Sequence, residues 1–240
     1  MKKYAITSAA LPQKCRDFLE GLGFSVIALP SFEKLARPVA SHPDMLLFFG
    51  DKIFCHSEYY AKNAPTLELI SRLSCLGIVT TDEKISDKYP CDILFNALPL
   101  GKYVFCKAES VSRLIKDYAE RNALELVNTR QGYARCSVCK VSENAIITAD
   151  TGIYESARAR GIDSLLISEG NIDIDGYSYG FIGGTSGVFG DTVYFCGDLS
   201  SHPDGEKIKS FCKSHEKNAV SLSDGKLYDV GTLFFFEDKK

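Results

Sequence analysis

The sequence holds nine cysteines, and Cys136 is the thiol best placed for nucleophilic chemistry. It follows Arg135, whose guanidinium would favour the thiolate and lower the pKa of the thiol. No histidine is adjacent in sequence, so a proton-transfer partner has to come from elsewhere in the fold, and His42 and His202 are the candidates. We predict that Cys136 lines a pocket, and catalysis by its thiol is the alternative.

Cys136 and Cys139 form a Cys-x-x-Cys motif, which invites a zinc or redox interpretation. No second Cys/His pair follows at zinc spacing, and the motif does not open a helix as a thioredoxin-like site does. Most of the cysteines lie in apolar segments, as reduced and buried thiols do. We therefore predict core packing for most of them, with no metal site and no cofactor.

Polar residues recur near the start of several apolar segments, and they are the candidates for ligand binding. The set consists of His42, Asp44, Asp92, Arg135, Cys136, Gly183, Gly184 and Asp229. If the fold brings them together, three carboxylates and one guanidinium line a polar pocket suited to a cationic or zwitterionic ligand, such as a guanidino or amino compound. The alternative is that the acids cap turns or pair with nearby lysines and arginines.

These candidates lie on a unit that recurs along the chain, a hairpin of two short apolar arms. Its copies span residues 43–55, 91–106, 133–152, 179–196 and 227–237. The fifth copy lacks a second arm, and residues 4–9 at the N-terminus match the second arms of the other copies in kind. The sequence therefore predicts that the last strand pairs with the first and closes a ring, which would remove open sheet edges.

Amphipathic helical patterns alternate with the hairpins, and a short apolar strand follows each helix. The predicted helices span residues 13–22, 66–74, 110–122, 153–160 and 204–215. The repeat has a period of roughly 45 residues, which is typical of repeat folds and propellers. Residues 30–41, 56–65 and 169–178 are predicted as surface loops.

Composition limits the classes of function. The chain has 240 residues, a net charge of −3 and an isoelectric point near 5.9, so it has no general attraction for nucleic acid or anionic membranes. The N-terminus lacks the apolar core of a signal peptide, and no later segment is long and apolar enough to span a bilayer. We predict one domain over residues 1–240 in the cytoplasm, and leave the oligomeric state open.

Four motifs resemble an uncharacterised bacterial family that is assigned to the fold of the guanidine-group-modifying enzymes. They are HPDMLLFFG (42–50), QGYARCSVCKVSENAIITADTGI (131–153), GYSYGFIGGTSG (176–187) and LYDVG (227–231). The resemblance implies an α/β fold, a closed five-bladed pentein β/α-propeller with pseudo-fivefold symmetry and its helices on the outside. The ribosome anti-association initiation factor shares that fold.

The resemblance also implies where catalytic residues would lie. Pentein hydrolases use a cysteine nucleophile near the C-terminus, a histidine on the first strand of a middle repeat, and carboxylates that hold the guanidinium. Here residues 228–232 contain no cysteine and residues 134–136 contain no histidine. We therefore predict a protein that binds a small guanidino or amino ligand without that pair. The alternatives are a docking module like the initiation factor, or a divergent amidinohydrolase or transferase with a relocated cysteine nucleophile.

Overall fold

The computed structural model describes residues 2–238, and its strands form five three-stranded sheets within that range. The strands, in chain order, are β1 (Lys3–Ser8), β2 (Phe24–Leu29), β3 (Leu47–Phe49), β4 (Ile53–His56), β5 (Ile78–Thr81), β6 (Leu98–Leu100), β7 (Tyr103–Cys106), β8 (Glu125–Asn128), β9 (Val138–Ser142), β10 (Ala145–Thr148), β11 (Asp163–Leu166), β12 (Ser186–Phe189), β13 (Thr192–Phe195), β14 (Asn218–Ser221) and β15 (Phe234–Glu237). The five hairpin modules predicted from the sequence correspond to these five sheets.

Each sheet has the same topology. A first strand pairs antiparallel with the middle strand, and a third strand pairs parallel with the middle strand on its other side. A parallel neighbour needs a crossover connection, and in every sheet a helix supplies it between the middle and third strands. The repeating unit is therefore a hairpin followed by a helix and a strand.

The helices, in chain order, are α1 (Gln13–Gly21), α2 (Pro43–Leu46), α3 (Ser57–Ser74), α4 (Arg113–Arg121), α5 (Thr151–Arg158) and α6 (Gly205–Ser214). The prediction of a loop over residues 56–65 was wrong, because α3 begins at Ser57 and continues through Pro65. The helix accommodates this proline with a kink at Asn63, whose backbone is not helical. Each of the other four predicted helices is observed with small shifts at its ends.

The two ends of the chain meet in one sheet. β1 pairs antiparallel with β15, with Tyr4 opposite Phe236, and parallel with β2. The predicted pairing of the last strand with the first is therefore confirmed, because the N-terminal segment serves as the second arm of the fifth hairpin.

A short segment before the first strand of each sheet positions the candidate residues. Residues 43–46 form the helical turn α2, and residues 134–137 and 182–185 form turns that lead directly into β9 and β12. The third hairpin was predicted to begin at residue 133, which was wrong because its first strand, β9, begins at Val138. The residue two positions before the first strand is, in the five modules, Met45, Asn96, Cys136, Gly184 and Thr232.

The interior is built from the apolar faces of these modules. Cys55, Cys106 and Cys196 are fully buried at the ends of their second arms, where the sequence predicts packing. Cys139 is also fully buried among apolar residues between the third and fourth sheets. In the described part of the chain, none of the helices has the length and apolar character needed to cross a membrane.

Candidate functional site

One hydrogen-bonded network joins all five modules. The Cys136 thiol donates to Asp44 Oδ2 at 3.1 Å, and the Thr232 hydroxyl donates to the same oxygen at 2.7 Å. Asn96 Nδ2 donates to Cys136 Sγ at 2.9 Å, and the Gly184 amide donates to the Cys136 carbonyl at 3.0 Å. The segments that precede the first strands therefore converge, as the sequence analysis required for a shared site.

Cys136 is a protonated thiol in this network. It is 4% exposed, and burial raises its pKa well above the ordinary value, with the carboxylates of Asp44 and Asp229 raising it further. The prediction that Arg135 lowers the pKa of this thiol was wrong. The Arg135 side chain turns away, donates from Nη1 to the Val138 carbonyl at 3.0 Å and lines a different cavity.

Asp229 lies beside this network with His42 as its neighbour. Its two oxygens accept from the amides of Phe181 at 2.8 Å and Gly231 at 2.9 Å, and His42 Nδ1 lies 3.8 Å from Oδ1. Burial raises the pKa of Asp229 to about 6, an effect that Asp44 increases and His42 opposes. This carboxyl group therefore exchanges its proton near neutral pH.

Aromatic rings and Asp229 enclose a cavity of about 180 Å³ over Cys136. Its lining consists of Val39, His42, Met45, Tyr133, Cys136, Ile174, Tyr177, Ser178, Tyr179, Phe181 and Asp229. The ring of Phe181 lies 5.9 Å from that of Tyr133 and 6.4 Å from that of Tyr179, measured between centroids. A buried carboxylate beside several aromatic faces is an arrangement that attracts a cation. We call this space the Asp229 cavity.

Gly183 and Gly184 allow the backbone to approach the site closely. A Cβ on Gly183 would lie within 3.0 Å of the carbonyl oxygens of Arg135, Cys136 and Val138, and one on Gly184 would lie within 3.0 Å of the Asp229 carboxylate. The two glycines therefore hold the fourth module against the third and fifth modules, and the sequence analysis placed both at the site.

Asp92 does not join the carboxylates of the network, contrary to the prediction. Its Oδ2 accepts from the Tyr133 hydroxyl at 2.5 Å, and burial raises the pKa of this carboxyl. Asp92 therefore holds a ring that lines the Asp229 cavity, instead of lining the cavity itself. Asn96 is the residue of the second module that joins the network: its Nδ2 donates to Cys136 Sγ, and its Oδ1 accepts from the Arg135 amide at 2.8 Å.

Sequence reasoning missed Asn96 and Thr232. Both stand two residues before the first strand of their modules, in the position that Cys136 takes in the third. Aligning the five repeats by the starts of their first strands, instead of by their acidic residues, would have identified both.

Solved structures resemble the chain at low sequence identity. The dimethylarginine dimethylaminohydrolase of Pseudomonas aeruginosa, solved with citrulline, is 9% identical, with 92% of each chain covered and a TM-score of 0.57. The agmatine deiminase of C. jejuni is 8% identical, covering 92% of this chain and 88% of that chain with a TM-score of 0.56. An amidinotransferase of Microseira wollei from saxitoxin biosynthesis is 9% identical, covering 97% and 81% with a TM-score of 0.57.

These similarities establish a mixed α/β fold of the pentein class, and the resemblance stated from the motifs is confirmed. No curated protein sequence matches the chain. A family model described as "Family of unknown function (DUF6873)" matches residues 6–234, and the chain belongs to that family.

Proposed function

We propose that the Asp229 cavity binds a small guanidino or amino cation. The observation that carries the proposal is a fully buried carboxylate, that of Asp229, facing a cavity walled by the rings of Tyr133, Tyr177, Tyr179 and Phe181. The proposal takes the five sheets as blades of a closed propeller, with the cavity at one mouth of its axis. One structural relative was solved with citrulline, a ligand of similar size whose ureido group is the neutral counterpart of a guanidinium.

The cation would be recognised by its attraction to the Asp229 carboxylate, which is shielded from water. An ionised carboxylate that is only 2% exposed gains from a cationic partner, because the pair interacts at a lower effective dielectric constant than in water. The ring faces add cation–π attraction, worth about 0.5–2 kcal/mol for each good contact. The network behind the cavity also has an unused acceptor, since Asp44 Oδ1 is buried and has no hydrogen-bond partner among the described residues.

We expect agmatine and arginine to bind the protein in isothermal titration calorimetry, and N-butylurea, a neutral analogue of the guanidine group, to bind about tenfold more weakly or not at all. Asp229→Asn should weaken agmatine binding by about tenfold or more, because a charged hydrogen bond is lost. Asp191→Asn is the control, since it removes the same charge from the exposed hairpin turn between β12 and β13.

The proposal is wrong if no cation of this series binds the wild type. It is also wrong if Asp229→Asn and Asp191→Asn change the affinity equally, because the cavity would then contribute nothing beyond the net charge.

We propose Cys136 as a nucleophile toward the bound guanidinium as the second candidate function, because Cys136 and His42 line the same cavity. Asp44 Oδ2 accepts the thiol proton at 3.1 Å, and a cation in the cavity would favour the resulting thiolate. Sγ would add to the guanidino carbon, and the carbon–nitrogen bond would break as the amine takes a proton from His42, because Asp229 is ionised when it holds the cation. Water would then add to the same carbon, releasing a ureido product and restoring the thiol.

A charged alkylating agent tests this chemistry. 2-Chloroacetamidine and 2-chloroacetamide differ in charge but have the same size and reactive carbon. We expect the cationic reagent to alkylate Cys136 about tenfold faster than the neutral one, after both rates are divided by those at Cys75, which is exposed. Mass spectrometry of peptides gives the rates, and Cys136→Ser confirms the assignment. Equal normalised rates at Cys136, or no labelling there, would leave Cys136 without a nucleophilic role.

A further inference from the structure

A second cavity, of about 320 Å³, is lined by residues in, just before or just after the first strand of every one of the five sheets. Its lining consists of Leu47, Phe48, Phe49, Ala97, Leu98, Pro99, Arg135, Lys140, Glu143, Ser186, Gly187, Val188 and 233–236. It shares no lining residue with the Asp229 cavity. We call it the Arg135 cavity, and its size is at the lower end of the range for small-molecule sites.

Arg135 is a buried cation that makes no close ion pair among the described residues, and the charge of Asp44 acts on it only from a longer distance. The residue is 9% exposed, and its one hydrogen bond from the guanidinium goes to the Val138 carbonyl at 3.0 Å. Among residues 2–238, no carboxylate lies within the 4.0 Å that defines an ion pair with it. A guanidinium has five donors in a planar fork, and leaving a buried charge uncompensated is costly. The remaining guanidinium nitrogens are not among the buried atoms that lack a partner, so they face the open space of the cavity, where an anion can accept hydrogen bonds from them.

Lys140, the other cation that lines the cavity, already has a counterion. Lys140 Nζ donates to Glu143 Oε1 at 2.5 Å and to the Pro99 carbonyl at 3.5 Å. Its charge is therefore already paired, while that of Arg135 is not. This contrast makes Arg135 the group that would hold an incoming anion.

The rest of the wall is apolar and aromatic. The guanidinium of Arg135 lies 5.4 Å from the ring centre of Phe234, and the ring of Phe49 packs 4.6 Å from Phe234 and 5.1 Å from Phe236. A hydrated inorganic anion would gain nothing from these rings. An occupant with an apolar body would bury its surface against them.

We propose that the Arg135 cavity binds a small carboxylate with an aromatic or branched apolar body. The carboxylate pairs with both arms of the Arg135 guanidinium, and the apolar body packs against Phe49, Phe234 and Phe236. This site is separate from the Asp229 cavity and takes a ligand of the opposite charge. The inference does not depend on the proposed function.

Benzoate, benzamide and benzamidine test the proposal, because they share one ring and differ in charge. In isothermal titration calorimetry we expect benzoate to bind about tenfold or more tightly than benzamide, and benzamidine to show no binding that Arg135→Met removes. Cyclohexanecarboxylate should bind comparably to benzoate, and acetate much more weakly, because only the first two have an apolar body. Equal binding of acetate, or of chloride, would overturn the apolar half of the proposal.

Arg135→Met tests the charge, since it keeps an unbranched side chain of similar length. We expect it to weaken benzoate binding by about tenfold or more while the free protein melts at the same or a higher temperature, because an unpaired buried charge is removed. Lys140→Met is the matched control and should change the benzoate affinity by less than about threefold, because the Lys140 charge is already paired. Asp229→Asn should leave benzoate binding unchanged. If Arg135→Met folds and binds benzoate like the wild type, the proposal is wrong.

Discussion

Gly183→Ala is expected to lower the free energy of unfolding by roughly 3–5 kcal/mol, or to prevent folding. The added methyl group would lie within 3.0 Å of the carbonyl oxygens of Arg135, Cys136 and Val138, all of them backbone atoms. Two of these oxygens are held by hydrogen bonds that a shift would break. The Cys136 carbonyl accepts from the Gly184 amide at 3.0 Å, and the Val138 carbonyl accepts from Arg135 Nη1 at 3.0 Å. Relieving the clash would therefore break the contact between the third and fourth modules.

Gly21→Ala is the matched control for that substitution. Gly21 is the last residue of α1, and no atom lies within 4 Å of the Cβ that alanine would add. Alanine favours a helix over glycine by up to about 1 kcal/mol, so this variant should be as stable as the wild type or slightly more stable. The chain has no tryptophan and 12 tyrosines, so urea unfolding is followed by circular dichroism and tyrosine fluorescence. If the two variants unfold at the same urea concentration, the methyl group added at Gly183 is accommodated without loss of stability and the prediction is wrong.

The fold could be predicted largely because its signals are local and repeated. Alternating apolar arms, polar turns and helical periodicity occur in every module, so the assignment of one copy supports the assignment of the others. The pairing of β1 with β15 followed from the incomplete fifth hairpin. The exception was α3, whose first half was predicted as a surface loop, while packing of Tyr59 and Leu67 in the core carries the helix past Pro65.

The candidate site could be predicted only in part, because side-chain direction depends on irregular backbone. Asp44, Asp92 and Asp229 stand three, six and five residues before their strands, so they are not equivalent positions. They were predicted to line one pocket because each lies near the start of an apolar segment, and for this reason Asp92 was wrongly grouped with Asp44 and Asp229. Adjacent residues in the turn before β9 also point to different cavities: Cys136 lines the Asp229 cavity, and Arg135 lines the other.

Some interpretations of the sequence stay predictions. One is the docking alternative drawn from the initiation factor, which no specific contact favours. The closed ring and the single domain over residues 1–240 also stay predictions. Ribosome co-sedimentation at moderate salt addresses the first of these. The ligand hypothesis now depends mainly on one group, the Asp229 carboxyl, whose ionisation can be measured independently of any ligand.

Asp229→Asn is expected to remove a marked pH dependence from the stability of the protein. In the folded chain the pKa of Asp229 is about 6, and its ordinary value is 3.8. Between these values the folded protein keeps a proton that the unfolded chain has lost. The free energy of unfolding therefore falls as pH rises from about 4 to about 6, by up to about 1.4 kcal/mol per pH unit and about 3 kcal/mol in total. Asparagine does not ionise, so its variant lacks this fall.

Urea unfolding in steps between about pH 4 and pH 7 measures the effect, with Asp191→Asn as the exposed control that should keep the wild-type profile. The informative quantity is the difference between each variant and the wild type at every pH, since contributions from groups that do not interact with the replaced residue cancel in it. Agmatine at saturation should also flatten the wild-type profile, because a cation that pairs with the Asp229 carboxylate favours its ionised form and lowers its pKa. If the profiles of Asp229→Asn and the wild type run parallel, burial does not hold a proton on Asp229. If they diverge but agmatine leaves the wild-type profile unchanged, the carboxyl is perturbed by burial alone and the cation does not bind beside it.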